Sequence, residues 1–382
     1  MASQTKQRVK KARKMEDSDA PVAAPVNGQD LDIPEDIKVM RTFKTFRAGE
    51  YNHSELGLSP KRVNAMYRNM LLQRRFEERT AQMYGKQKIA GFLHLYIGQE
   101  AVSAGAAAGI RVGEDSVITA YRDHGLGLAL GMTSNECMAE LYGKATGSSK
   151  GKGGSMHFFS LENRFFGGHG IVGAHVPVAT GIAFAHKYKE DDGVCLVFFG
   201  DGAVGQGAIH EASNLAGIYG LPVVFIVENN QYAMGTAVNR AFAETMFVKH
   251  ALSYNMEAAM VNGMDAFAVC KAVQEHVALA RTGKPSLLEI RTYRYRGHSM
   301  SDPGKYRTKE ELERKKNEDP IIRLKAYLIE YDLADHDTLD QIDEEVKQEV
   351  LDAVEFAENS PFPSEEAIYE DVYSQEDYPF LA

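Results

Sequence analysis

The sequence predicts an α/β fold, a parallel sheet with helices on both faces. Three observations carry this expectation. Five short strand-type runs recur, at 116–120, 194–199, 223–227, 257–261 and 287–293. Helical patterns of 12 to 18 residues separate most of them, as right-handed βαβ units require. The Gly, Asp, Asn, Arg and His residues collect just after these runs, where open α/β sheets bind polar ligands.

Taken in order, the chain opens with a basic cluster, Lys6, Arg8, Lys10, Lys11, Arg13 and Lys14, followed by Ala, Pro, Asp and Glu without periodicity. Such composition cannot build a core, so residues 1–50 are expected to be a disordered tail, basic and then acidic. Acids arrive by Glu16 and no apolar signal core follows, which argues for an uncleaved tail. Residues 51–382 are expected to form a single domain with C-terminal helices. Ser59-Pro60 opens a helix that runs to about Tyr84.

The best-defined unit spans Val194 to Val227. A strand leads into the turn Gly200 to Gly207, then into a helix with Ile209, Ala212, Ala216 and Tyr219 on one face. Gly220 stops that helix in a left-handed conformation, and Pro222 sits where the next strand begins. The other strand runs are followed by Tyr121 to His124, Glu228 to Tyr232, Asn262 to Asp265 and Arg294 to Ser299. From Thr308 onward the chain is charged and mostly helical.

Composition bounds the function. Hydrophobic residues make up 44% of the 382 and charged ones 25%, which suits a packed globular body. The net charge of -10 disfavours nucleic-acid binding by that body. No apolar run is long enough to cross a membrane. Cys137, Cys195 and Cys270 form no paired motif, so neither disulfide nor zinc is expected, and a reducing compartment is the simplest inference.

Asp201 and Asn230 stand 29 residues apart, at the ends of two strands joined by one helix. A carboxylate and an amide oxygen on adjacent strand tips suit magnesium, and the following helix N-terminus suits a diphosphate. A rival reading is a nicotinamide site, because Gly200-x-Gly202-x-x-Gly205 matches the dinucleotide fingerprint and Glu228 ends the next strand. Against it, Asp201 repels a bare pyrophosphate and Asn229-Asn230 has no part in ribose recognition. On local pattern both stand. Tight packing alone explains Gly205 and Gly207 but not the Asp201–Asn230 pair.

Gly200-Asp-Gly202 with Asn229-Asn230 resembles the thiamine-diphosphate signature. The stretches 91–101 (GFLHLYIGQEA), 120–125 (AYRDHG), 151–157 (GKGGSMH), 167–174 (GGHGIVGA), 200–216, 221–236 and 295–304 (YRGHSMSDPG) together resemble the alpha subunits of thiamine-diphosphate-dependent 2-oxoacid dehydrogenases, the pyruvate type in particular. The resemblance covers residues 60–380 and implies the thiamine-diphosphate-binding fold, in its diphosphate-binding half. It implies magnesium ligands on the Asp201 carboxylate, the Asn230 side chain and the Tyr232 carbonyl. It places cofactor contacts at Tyr121, Arg122, Gly202, Ala203, Arg294 and His298, and main-chain contacts to the aminopyrimidine at Gly170 and Val172. His169 replaces the asparagine expected before that glycine. His94 and His298 match the active-site histidines, which suits proton transfer near neutral pH during decarboxylation and acyl transfer. His124 and His157 lie in matching motifs with less direct roles.

The glutamate that activates the aminopyrimidine belongs, by the same resemblance, to a separate pyrimidine-binding domain. The residues left over here cannot build one. A beta subunit is therefore implied, in an α2β2 heterotetramer, with a lipoyl acyltransferase core receiving the acyl group. Branched-chain 2-oxoacid and acetoin relatives share fold and cofactor, but Met234-Gly-Thr and Gly167 to Gly173 resemble the pyruvate type. The loop 297–305 is expected to be mobile until diphosphate binds. Ser299 matches the first regulatory phosphoserine of animal mitochondrial relatives. Lys305 meets Tyr306 without the second, and Ala237 replaces the third. That pattern favours a bacterial cytoplasmic enzyme. A non-catalytic interaction protein is the alternative of a different class.

Overall fold

Residues 42–372 are described in the computed structural model. Among them the strands are β1 (Lys44–Phe46), β2 (Ser116–Ala120), β3 (Phe165–His169), β4 (Cys195–Gly200), β5 (Val223–Asn229), β6 (Tyr232–Ala233), β7 (Thr236–Ala237), β8 (Glu257–Asn262) and β9 (Ser286–Arg291). Seven of them make one sheet in the order β1-β8-β9-β5-β4-β2-β3, with every neighbouring pair parallel. β6 and β7 form a small antiparallel hairpin.

Side chains alternate across this sheet and fill two cores. Leu196, Phe198, Val224, Ile226, Leu288 and Ile290 join one, with helices Pro60–Gly85, Glu100–Gly109 and Ala266–Arg281. Cys195, Val197, Phe199, Val223, Phe225 and Val227 join the other, with helices His175–Lys189 and Gly207–Tyr219. Helices on both faces explain why β4 and β5 read as continuous apolar runs. The five strand runs of the sequence correspond to β2, β4, β5, β8 and β9.

Two strands of the main sheet, and the short β6–β7 hairpin, escaped the sequence reading. β3 contains Gly167 and Gly168 and, among the described residues, has β2 as its one strand neighbour beside a single bridge to Ser160, so its composition carries little strand signal. β1 falls inside 1–50, the segment expected as tail. Its three residues pair with Ala259 to Val261 of β8, so the folded part starts ahead of residue 51. The basic cluster at 6–14, the rest of 1–41, and 373–382 lie outside the described residues.

Local signals set the helix ends. The Ser59 side chain accepts the Arg62 N–H and Pro60 occupies the first turn, which fixes where helix Pro60–Gly85 starts. Helix Gly207–Tyr219 buries Ile209, Ala212, Ser213 and Ala216. Tyr219, expected on that face, is instead half exposed at the last turn, edge-on to Phe184. Helix His336–Asn359 lies against Pro60–Gly85 and Ser134–Leu141.

The short helix after β2, His124–Ala129, sends Leu126 and Leu128 into the first core, whereas the helix after β4 enters the second. The chain thus leaves two adjacent strands toward opposite faces, which opens a crevice at their carboxyl ends.

Gly220 ends its helix at φ +54 and faces Gly283 at φ +79. A Cβ on Gly220 would lie 2.9 Å from the Gly283 carbonyl oxygen. Gly220→Ala is expected to destabilise the fold by about 1–3 kcal/mol, measured as a lowered thermal midpoint.

Candidate active site

The crevice holds a cavity of about 280 Å3 at the ends of β2, β4 and β5. Tyr121 and Arg122 line it just past β2, Gly200 to Ala203 from the end of β4, Asn230 just past β5 and Tyr232 from β6, with Val172, Gly173 and Arg294 closing the sides. Gly170 does not line it. It stands just past β3, where a Cβ added to it would lie 3.7 Å from the His157 ring.

β4 ends in the turn Asp201–Ala203, and Gly200 pairs with Glu228 of β5. This register sets Asp201 beside the Asn229-Asn230 tip. The Asp201 carboxylate is buried, and its Oδ2 has no hydrogen-bond partner. Burial pushes it up to about 6, against the lowering effects of Arg294, the Asn230 N–H and Arg122. The Asn230 amide nitrogen donates to Gln99 Oε1 at 3.2 Å, while its oxygen has only a long 3.4 Å contact from the Tyr232 N–H.

Arg122 and Arg294 are both buried and, among the described residues, have no carboxylate partner. Arg122 donates to the carbonyls of Leu95 (2.6 Å) and His298 (2.8 Å). Arg294 donates to the carbonyls of Tyr232, Met234 and Arg296 and to the Tyr306 hydroxyl. Burial, then the neighbouring Arg294, lowers Arg122 to about 10. Two desolvated guanidiniums bonded only to neutral groups make a site for an anion.

Beside them three rings meet. His94 lies 4.6 Å from Tyr121 and 5.0 Å from His298, centroid to centroid. Neither histidine has a partner at Nδ1. Burial and the Arg122 charge push His94 down to about 3 and His298 to about 4. The loop after His298 folds around Asp302, which accepts the His298 N–H at 2.6 Å, the Gly304 N–H at 2.8 Å and the Tyr306 hydroxyl at 2.9 Å.

The donor set is that of a hard cation on an anion rather than a histidine–cysteine centre. Among the described residues no group of three or more His, Cys, Asp or Glu is placed to hold a metal. One carboxylate oxygen, one amide oxygen and a main-chain carbonyl fit magnesium shared with a phosphate.

The sequence profile of the dehydrogenase E1 component family matches residues 68–366. The chain belongs to this family. It is 53% identical over 308 residues to a pyruvate dehydrogenase E1 component subunit alpha of Rhizobium meliloti, covering 80% of this chain and 88% of that one. The protein of the same name from Zymomonas mobilis is 50% identical, covering 80% and 87%. A mitochondrial one from Sminthopsis macroura is 47% identical over 317 residues, covering 82% and 86%.

Within this family site, sequence reasoning missed Gln99 and gave Glu228 a part only in the nicotinamide reading. Gln99 holds the Asn230 amide, and it lies in the quoted 91–101 stretch, whose His94 drew the attention. Glu228 lines the cavity, accepts the Tyr96 hydroxyl proton at 2.5 Å, and is pushed up to about 7 by burial. Its place directly before Asn229-Asn230 was the available signal. His175 was also missed. It is buried, donates from Nε2 to the Phe198 carbonyl at 2.8 Å and stacks on His169. His124 is fully buried away from the cavity, and His157 Nδ1 lies 2.9 Å from the Gly168 carbonyl oxygen.

Asp123, next to Arg122, is buried with Oδ2 on the Phe158 N–H and Oδ1 unpartnered. Burial raises its pKa from 3.8 to about 7. The folded state therefore binds the proton more tightly, and stability is lost as pH rises through that window. Asp123→Asn removes the loss. It is expected to raise the thermal midpoint by more at pH 8 than at pH 5, and an equal shift at both would contradict this.

Proposed function

We propose that this chain is the alpha subunit of a pyruvate dehydrogenase. In this reading it holds the magnesium diphosphate of thiamine diphosphate and takes part in oxidative decarboxylation of pyruvate with acetyl transfer to a lipoyl group. The observation that carries the proposal is the buried Asp201 oxygen without a partner, set beside Asn230 and two arginines without a carboxylate. The family membership and the names of its relatives support the substrate.

Asp201, Asn230 and the Tyr232 carbonyl would hold the magnesium, and Arg122 and Arg294 the diphosphate oxygens. When bound, the thiazolium ring supplies the carbanion equivalent and electron sink that decarboxylation of a 2-oxoacid demands. This chain's own residues supply position and protons. Val172 and Gly202 to Ala203 shape the wall, and the buried arginines favour negative charge. Burial is the larger cause of the low His94 and His298 values, and an anion against Arg122 and Arg294 offsets the part that comes from those two charges. Both imidazoles then become easier to protonate than in the empty cavity.

Activation of the aminopyrimidine is assigned to a beta subunit, in an α2β2 assembly that serves a lipoyl acyltransferase core. The bacterial cytoplasm is the proposed location, from the Lys305-Tyr306 junction and Ala237.

Co-expression with a beta partner, followed by decarboxylation assays with magnesium and thiamine diphosphate, tests the substrate. Pyruvate is expected to be preferred, and a preference of about tenfold for a branched 2-oxoacid would overturn the assignment. Asp201→Ala is expected to abolish cofactor retention while the thermal midpoint stays within a few degrees. Full retention would refute the metal assignment.

A further inference from the structure

Glu77, His124 and Ser155 are buried polar residues that do not line the cavity. They come from three different places: helix Pro60–Gly85, the start of helix His124–Ala129, and the turn Gly154–Met156. His124 Nδ1 lies 3.2 and 3.1 Å from the two Glu77 oxygens. Its Nε2 lies 3.1 Å from the Ser155 carbonyl oxygen and 3.0 Å from Ser155 Oγ. The Glu77 carboxylate only accepts, so Nδ1 carries a hydrogen, while Nε2 donates to the Ser155 carbonyl when protonated and accepts from the Ser155 hydroxyl when not. Burial opposes charging the ring, but Glu77 and Asp123 outweigh it and raise the His124 pKa.

Both ends of this chain of bonds reach the same short segment. Ser155 Oγ accepts the His94 N–H at 3.2 Å, and Glu77 Oε1 accepts the Tyr96 N–H at 2.6 Å. On the segment's other edge, the carbonyls of Leu93, Leu95 and Ile97 accept from Met300 N, Arg122 Nη1 and Tyr295 N. The main chain around His94 is therefore fixed on both edges, while its ring Nδ1 stays without a partner.

Ser155 is fixed in turn. The Glu140 carboxylate, fully buried, accepts four N–H groups from the approach to it: Ser149 (2.7 Å), Gly151 (2.9 Å), Gly153 (2.7 Å) and Gly154 (2.9 Å). Buried charges of this kind add little to stability compared with an apolar core of the same shape, so their value lies in specifying one arrangement.

We infer that Glu77, His124 and Ser155 act as one buried chain of positioning residues that sets His94 against Tyr121 and His298. The inference rests on the proposed function, in which His94 handles protons at the reacting centre. His94 is located by its peptide groups, and its ring Nδ1 remains free for chemistry. Misplacement of such a group by a fraction of an ångström lowers turnover rather than substrate binding.

The test uses the assembled alpha–beta holoenzyme, with the wild type as the first control. A wild-type assembly inactive on every 2-oxoacid would overturn the proposed function, and this inference with it. With an active wild type, Ser155→Ala and His124→Gln are each expected to lower kcat about tenfold or more, with KM and cofactor retention changed by less than about twofold. The double substitution is expected to be no worse than the stronger single one. On a His94→Ala background neither change is expected to lower kcat further. Glu77→Gln, which keeps an acceptor for the Tyr96 N–H, serves as a milder variant should either fail to fold. Losses that multiply, that appear in KM or cofactor retention, or that persist undiminished without His94 would overturn the inference.

Discussion

The architecture turns on charge buried without its counterpart. Arg122 and Arg294 are removed from water and bonded only to carbonyls and a phenol, and the Asp201 carboxylate keeps one oxygen without a partner. Leaving such groups unmatched is expensive in a protein interior, so the surrounding fold has to over-determine them. It does so from several strand ends at once. β2 delivers Arg122, β4 delivers Asp201, β5 delivers Asn230, and the segment after β9 delivers Arg294. The divergence of the chain after β2 and β4 keeps that edge open. Filling the crevice with apolar side chains would relieve the electrostatic penalty and abolish the site.

Much of this was legible from sequence, for a physical reason. β4 and β5 are apolar on both faces because helices cover both, so they stand out as unbroken runs. Asp201 and Asn230 were legible because each follows such a run directly, where polar residues have no packing role. The pieces that were not legible lack those signals. β3 is glycine-rich and paired on one side only, and β1 is three residues inside a polar stretch. Gln99 and Glu228 reach the site through side-chain bonds to Asn230 and Tyr96, partners more than a hundred residues away, which no local pattern encodes. Tyr219 fits the helical period yet lies at the final turn, where the facing core has ended.

His124 shows a different limit. Its motif, Tyr121 to Gly125, sits at the end of β2 among the cavity residues, yet its ring points into the core and stacks on Phe158. Past Ala120 the chain leaves the strand and turns into the helix that begins at His124, so Tyr121 and Arg122 line the cavity while Asp123 and His124 are buried in the core. A motif therefore mixes groups that meet a ligand with groups that support them, and only the burial of each side chain separates the two.

Along Leu93 to Ile97 the carbonyls at odd positions bond to one edge and the N–H groups at even positions to the other. Such a stretch tolerates little change of register. Side chains within it can be exchanged one at a time, but adding or deleting a single residue would reverse which edge every peptide group faces. The length of this segment should then be more rigidly maintained than its composition, so that insertions in the chain accumulate elsewhere.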